Sequence, residues 1–434
     1  MAYPVFRPSA PFIFRIPVVI VATLLAACAP AAQAPVRGPV PALPQLVSAS
    51  PEAVGLAPGL GITLDSIMRA ALGEGAAPGA ALVVSRHGRL VHAAAYGRTD
   101  LPADAAPVTD STLFDLASLT KVVATTTAAM ILEEEGRLDL DRPVREYVPG
   151  FDAPDKAGIT VRMLLTHSSG LVAGGPVWRD ARDREGYLHR FNERELVYAP
   201  GDSTIYSDWG LILTAWVVEA ITGQGLDAFL EERVWRPLGM RDTGFNPVAA
   251  SPIPAGSDCT TALPASAPAL ARIAATEQDT VYRHRPIHGV VHDENACALG
   301  GVAGHAGLFS SARDLAVFGQ MLLNGGEYAG VRILQPTTVA RWTARQGKGF
   351  SRALGWDTPA PRSSAGTLFS PRSFGHTGFT GTSIWLDPER GLAVILLTNR
   401  VNPTRANTRH EPLRRAIADA VQAAVTDAPV RRWR

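Results

Sequence analysis

Phe114-Asp115-Leu116-Ala117-Ser118-Leu119-Thr120-Lys121 is the stretch on which the reading of this chain turns. Ser118 and Lys121 stand three residues apart. The chain holds 41 Lys and Arg, yet only Lys121, Lys156 and Lys348 are lysines. A sequence that writes its positive charge almost wholly as arginine has placed a lysine three residues after a serine, and only here. Arginine cannot act as a base, because its guanidinium stays protonated. Lysine releases its proton when it is buried or set beside another cation. Positions i and i+3 share a helix face, so hydroxyl and amine meet if a helix begins at or before Ser118. The first N–H groups of such a helix have no partner within it, which places the Ser118 N–H to hold a developing oxyanion. The alternative for this pair alone is a polar residue and a solvated lysine on an ordinary helix.

The ends of the chain read differently. Arg7 and Arg15 precede an apolar run, 16–27, that closes on Leu25-Ala26-Ala27-Cys28. A positive segment, an apolar segment and small residues before a cleavage point make a secretory signal. A Cys directly after Leu-Ala-Ala resembles a bacterial lipobox. That resemblance implies cleavage before Cys28, lipidation of its sulfur and anchoring at a membrane surface without a span. Ala29 follows, where Asp would imply retention at the inner membrane, so the outer membrane is favoured in a cell that has one. Residues 28–55, rich in Ala, Pro and Val, read as a tether. About 380 residues remain, more than the ~250–300 that one core usually serves. One catalytic unit of two interleaved lobes is expected over 56–428, followed by a basic tail, 429–434. A net charge of +1 gives no reason to expect nucleic acid as a partner. Cys259 and Cys297 either pair across the loop-rich middle or remain two buried thiols. The oligomeric state is left open.

Apolar spacing predicts a helix over 62–72. Apolar runs 80–85 and 90–96 flank Arg86-His87-Gly88-Arg89 as a β-hairpin. A helix is predicted over 118–135, capped by Gly136. Others fit 160–165, 211–222, 226–235 and 314–323, with Gly223 and Gly325 where caps belong. Runs 382–386 and 392–398 form a second hairpin, and a last helix fits 410–425. The resulting fold class is α/β of the α+β type. A central antiparallel sheet, shared by the two ends of the chain (56–115 and 330–428), is flanked by helices, with a mostly helical lobe (116–329) inserted between them.

The segment Phe114–Lys121 resembles the active-site segment of the serine β-lactamase and penicillin-binding-protein family, nearest the branch of class C β-lactamases, DD-peptidases and esterases. Further segments resemble family elements in the same order. Leu164-Leu165-Thr166-His167-Ser168-Ser169-Gly170-Leu171 is similar to its structural turn, and Tyr206-Ser207-Asp208 to its Tyr-x-Asn element. Gly304-His305-Ala306-Gly307-Leu308-Phe309-Ser310 is similar to its glycine-rich turn, and His376-Thr377-Gly378 to its Lys-Thr-Gly. The resemblance spans roughly 56–425. It implies Ser118 as nucleophile, Lys121 as neutral base or tuner of one, and Tyr206 as second base and then acid. It also implies that Thr377 and Gly378 line the substrate, that the Phe379 N–H is a second oxyanion donor, and that no cofactor is needed.

Two departures stand out. An ionised Asp208 only accepts hydrogen bonds, whereas Asn also donates. Beside Lys121 it would raise the amine's pKa and shift the burden of base to Tyr206. Its alternative role is a helix N-cap. His376 stands where the family has Lys and is only partly charged near neutral pH. His288, His292, Asp293, Glu294 and His305 are metal-ligand types, but their spacing matches no ligand pattern. His305 is expected to line the pocket instead.

The expected function is hydrolysis of an amide or ester bond through an acyl-enzyme in the cell envelope. Candidate substrates are a D-Ala-D-Ala peptide, a β-lactam or a small ester. A carboxylesterase, or a non-catalytic envelope binding module on the same fold, is the alternative. Cys28→Ser is expected to move the protein from the membrane fraction to the soluble one; a variant still sedimenting with membranes would end the lipobox reading.

Overall fold

The computed structural model describes residues 45–248, 259, 270–347, 351–361 and 363–431. Cys28 and the segment before residue 45 lie outside the described residues. The central sheet has six strands. They stand in the order Val47–Ser48, Arg89–Gly97, Gly79–Arg86, Leu392–Thr398, Ser383–Asp387 and Phe374–Thr377, antiparallel except for the first pair. Both expected hairpins are present. The first turns through His87 and Gly88, both at positive φ, the backbone that matches the twist of a two-residue hairpin.

The middle strands explain the layering. Successive side chains of a strand point to opposite faces. Ala80, Leu82 and Val84 pack with Leu64 and Met68 of helix Leu60–Gly73 and Leu413, Ile417 and Val421 of helix Glu411–Ala423. Ala81 and Val83 pack on the other side with Leu315 and Phe318 of helix Ala312–Leu323 and with the large core of the helical part. A strand buried on both faces reads as an unbroken apolar run, as Leu392–Thr398 does.

The fold also takes in residues assigned to the tether. Val47–Ser48 pairs with Arg89 and Leu90. The fully buried Arg86 donates to the carbonyls of Val54 (2.8 Å) and Gly55 (2.5 Å). A buried guanidinium needs acceptors, and this backbone supplies them.

The stretch after Ser118 departs from the single helix expected. The chain passes through a 3-10 turn, Ala117–Leu119, a π-helical stretch, Lys121–Thr126, and an α-helix, Thr127–Glu134. Thr127 Oγ1 donates to Val122 O at 2.9 Å, five residues back, while Thr125 Oγ1 donates away to Gly304 O at 2.7 Å. The wider turn is therefore tied to a distant segment that helical periodicity does not reveal. Helix Asp208–Thr222 runs beside it, closed by Gly223 at φ 71°. A small sheet orders Phe114–Asp115, Leu308–Ser310 and Gly244–Phe245 side by side. It brings the strand before Ser118 against the one after His305. Cys259 and Cys297 are joined by a disulfide, Cα–Cα 5.1 Å, which resolves the two alternatives.

At Gly304 the glycine-rich turn lies hard against helix Asp208–Thr222. A Cβ there would lie 2.0 Å from Leu211 O and 2.6 Å from Ala215 Cβ. Gly304→Ala should cost about 1–3 kcal/mol by overpacking, read as a lower urea or thermal midpoint. An unchanged midpoint would show that the turn has room to give.

Candidate active site

Asp115 sets the position of Ser118. It is fully buried, and its carboxylate accepts from the N–H of Ala117 (2.8 Å) and of His292 (2.7 Å). Ala117 lies at φ 46°, a conformation costly for a residue with a Cβ. Thr120 Oγ1 donates to Ala117 O at 2.6 Å and accepts from the Leu308 N–H at 3.1 Å. Thr380 and Thr382 donate to the carbonyls of Asp115 and Leu116 at 2.6 and 2.9 Å. The Ser118 segment is thus pinned to the C-terminal sheet on one side and to the glycine-rich turn on the other.

Lys121 lies beneath Ser118 with no exposed surface. Its Nζ donates to Ser118 Oγ at 2.9 Å and to His305 O at 2.9 Å, and sits 2.7 Å from Asp208 Oδ1. Burial works against the charged amine. The Asp208 carboxylate and the Tyr206 phenol outweigh it and hold Lys121 above its ordinary range. The direction expected from Asp208 is therefore the one present. Asp208 is not the helix cap: Ser207 occupies that position, with its hydroxyl donated to Val172 O at 2.7 Å.

Tyr206 is placed by the 164–171 segment. His167 Nδ1 accepts the Ser207 N–H at 3.1 Å, which puts the ring's proton on Nε2. The His167 carbonyl accepts from the Ile205 N–H and the Tyr198 hydroxyl, both at 3.0 Å. The His167 and Tyr206 rings lie 4.6 Å apart. Burial raises the pKa of Tyr206, while Lys121 and a hydrogen bond with Ser118 oppose the rise.

These groups open on a cleft of about 680 Å³. Ser118, Tyr206, Asp208, His305, His376, Thr377, Gly378 and Phe379 all line it, so every site residue expected in the fold, with Lys121 just below, is brought together. Gly378 closes a turn by donating its N–H to Thr382 O at 2.8 Å, and a Cβ there would meet Leu116 O at 2.3 Å. A larger hollow, 1160 Å³, lies between helix Leu60–Gly73 and the 402–409 loop. It holds none of these residues, so volume alone does not locate the chemistry.

Other residues of the cleft were not found from the sequence. Arg352 lines it, with its guanidinium 5.3 Å from the centre of the Tyr206 ring and 3.7 Å from Asp357. No motif spacing marks this arginine. His376 corrects an expectation: it is neutral rather than partly charged, driven well below its ordinary range by burial and then by Arg352 and Lys121. The fixed positive charge of the cleft is carried by arginine. The acidic and histidine side chains near 288–305 divide among separate partners. His305 Nε2 meets Asp293 at 2.9 Å, His292 meets Glu277 at 2.8 Å, and His288 meets Ile273 O at 2.8 Å.

Three histidines around the cleft share one electrostatic condition. Burial, then nearby cations, lowers His167, His376 and His410; for His410 the cations are Arg414 and Arg400, and its value falls to about 3. All three are neutral when folded, whereas an unfolded histidine protonates near ~6.5. Stability owed to the neutral rings is complete above about 6.5. It is lost as pH falls from there towards about 3, because the unfolded chain takes up protons first. A thermal midpoint that drops from roughly pH 7 to pH 5, and drops less in His410→Gln, is expected; a flat profile in the native protein would refute the account.

Residues 64–419 match the Beta-lactamase family. A protein of Escherichia coli O157:H7 named "Putative D-alanyl-D-alanine carboxypeptidase" is 35% identical over 368 residues, 77% of this chain and 81% of that protein. A protein of the same name from Salmonella schwarzengrund is 33% identical over 404 residues, 85% of this chain and 89% of its own length. Among solved structures, the hydrolase EstCE1, described as having promiscuous acyltransferase activity, superposes with a TM-score of 0.63. It is 25% identical and is matched over 84% of this chain and 98% of its own. A penicillin-binding-protein homologue from Caulobacter crescentus, 19% identical, superposes with a TM-score of 0.65 over 85% of this chain and 99% of its own, and shares the fold. The matched family, the relatives that cover most of the chain and the common architecture lead to one conclusion: the chain belongs to the beta-lactamase family of serine hydrolases.

Proposed function

We propose that this protein is an envelope serine hydrolase that removes the last residue of a peptide ending in D-Ala-D-Ala, through an acyl-enzyme on Ser118. The observation that carries the reading is the contact of the buried Lys121 amine with Ser118 Oγ at 2.9 Å, beside Tyr206. Because Lys121 donates to Ser118 Oγ, the hydroxyl's own hydrogen is available to the Tyr206 oxygen. Tyr206 acts in its phenolate form: it takes that proton as Ser118 Oγ attacks the substrate carbonyl, becoming the phenol, and then gives the proton to the leaving amine, which restores the phenolate. The Lys121 ammonium, kept charged by Asp208, stabilises that phenolate before the attack and again once the amine has taken its proton. The N–H groups of Ser118 and Phe379 hold the oxyanion. Water then attacks the acyl carbon; Tyr206 accepts its proton and passes it to Ser118 Oγ as the acyl group leaves.

Arg352 favours a substrate with a free carboxylate. It lies over Tyr206, the group assigned to the leaving side, and guanidinium matches carboxylate geometry. His376, neutral, cannot supply that charge. A carboxylate at the leaving end suits a peptide or a β-lactam better than a neutral ester, and the names of the curated relatives favour the peptide. Carboxylesterase activity is the second reading; the structural likeness to EstCE1, described as a hydrolase with promiscuous acyltransferase activity, supports acyl chemistry on substrates other than a peptide. The lipobox resemblance at Cys28 supports export and lipid anchoring on the periplasmic side. Among the described residues no helix is long and apolar enough to cross a membrane.

The native protein should release D-alanine from a D-Ala-D-Ala peptide and take up a fluorescent penicillin at Ser118, with both lost in Ser118→Ala. Arg352→Gln should raise KM for the free-carboxylate peptide roughly tenfold or more, the scale of a lost charged hydrogen bond, and change KM little for its C-terminal amide. Rapid butyrate-ester turnover without D-alanine release would replace the peptidase with the esterase. Failure of both penicillin and a fluorophosphonate to label Ser118 would end the acyl-enzyme reading.

A further inference from the structure

A second cavity, about 290 Å³, adjoins the reaction cleft, and Glu294 lines both. Its walls include Trp178, Tyr282, Arg182, Arg283 and Arg285. The two rings stand edge to face, centroids 5.6 Å apart at 88°. Arg179 lies over both, 5.3 Å from Trp178 and 5.7 Å from Tyr282. Arg405, which lines the reaction cleft, lies 4.7 Å from the Tyr282 ring. Tyr282 and the Arg405–Glu294 pair therefore form the wall that the two hollows share.

The annexe is built rather than fortuitous. The Asp279 carboxylate accepts the N–H groups of Val281, Tyr282 and Arg283 at 2.9, 2.9 and 3.0 Å, which fixes the turn that presents the ring and the guanidinium. Arg283 donates to the carbonyls of Val291 and His292 at 2.9 and 3.0 Å. Asn295 Oδ1 accepts from the Trp178 N–H at 3.0 Å and the Tyr187 hydroxyl at 2.9 Å. The Cys259–Cys297 disulfide closes the wall at Cys297.

Its charge is one-sided. Among the described residues three lining arginines face one lining carboxylate, Glu294, and that carboxylate is already paired with Arg405 at 2.8 Å. Arg182 and Arg285 make no carboxylate contact among the described residues. Guanidinium groups around two aromatic edges receive a carboxylate on a short aliphatic stem: the charge meets the arginines and the methylenes meet the rings. A cavity this small, at the low end of the ~300–1,000 Å³ of ordinary ligand pockets, holds a side chain or two rather than a whole ligand. Its occupant is therefore part of a molecule that also fills the cleft.

We propose that this annexe binds acidic side chains of the peptide portion that becomes the acyl group, so that the preferred substrate is an acidic peptide. The inference rests on the peptide reading of the Ser118 cleft. The test uses the full-length Ser118→Ala protein and fluorescein-labelled peptides ending in D-Ala-D-Ala. One carries two side-chain carboxylates upstream, and its twin has both as amides. By anisotropy the acidic peptide should bind about tenfold more tightly, with the advantage shrinking at high salt. In Arg182→Gln/Arg285→Gln the twins should bind alike, and Arg285→Glu should favour a third peptide carrying lysines at those positions. Equal binding of the twins, or a preference that survives the double substitution, would overturn the proposal. D-alanine release by the native protein is read separately. Its absence alongside an acidic preference would end the carboxypeptidase reading and leave the annexe; its presence without that preference would end the annexe alone.

Discussion

An ammonium has three N–H bonds, and that of Lys121 has three acceptors: Ser118 Oγ, the His305 carbonyl and Asp208. They come from three distant stretches of chain. A buried charge stripped of its partners costs several kcal/mol, so the three stretches must arrive together or the site cannot close. The π-helical stretch, the glycine at 304 and the small sheet that joins Phe114–Asp115 to Leu308–Ser310 all serve this meeting. In this part of the molecule the contacts that complete the fold are the same contacts that bring the hydroxyl, the amine and the carboxylate together.

The charge pattern of the cleft follows from two substitutions working in opposite senses. Asp at 208 makes the lysine a permanent cation. His at 376, neutral in its buried place, removes a cation from the strand. Positive charge reappears on Arg352, over Tyr206, and on Arg414, which donates to the Gly378 and Thr382 carbonyls at 2.6 and 2.8 Å. Burial, with Arg400 close by, brings Arg414 down to about 10. That is still charged at neutral pH, and it shows how crowded with cations this wall is.

Much of the architecture was legible because it is local. Alternating and unbroken apolar runs marked both hairpins, and the 3.6-residue period marked the helices that flank the sheet. The Ser118–Lys121 pair was legible from its short spacing, and the Tyr206–Asp208 and His376–Gly378 elements from their resemblance to family motifs. What escaped depends on contacts between remote residues. Asp208 reads nearly as well as a cap until Lys121 is seen at 2.7 Å. Arg352 belongs to no pattern and matters only through the ring it covers. The widened turn after Lys121 answers to Gly304, some 180 residues away. The tether was drawn too long because an acceptor for Arg86 leaves no mark in composition.

The two middle strands of the sheet, Gly79–Arg86 and Leu392–Thr398, are more than 300 residues apart in sequence. Their ladder cannot begin to form until almost the whole polypeptide has been made. A nascent chain of this kind carries an apolar strand and an unfinished core through most of its synthesis, the state in which aggregation is most dangerous. In an exported chain this delay would keep the polypeptide open to threading until its last segment had been made.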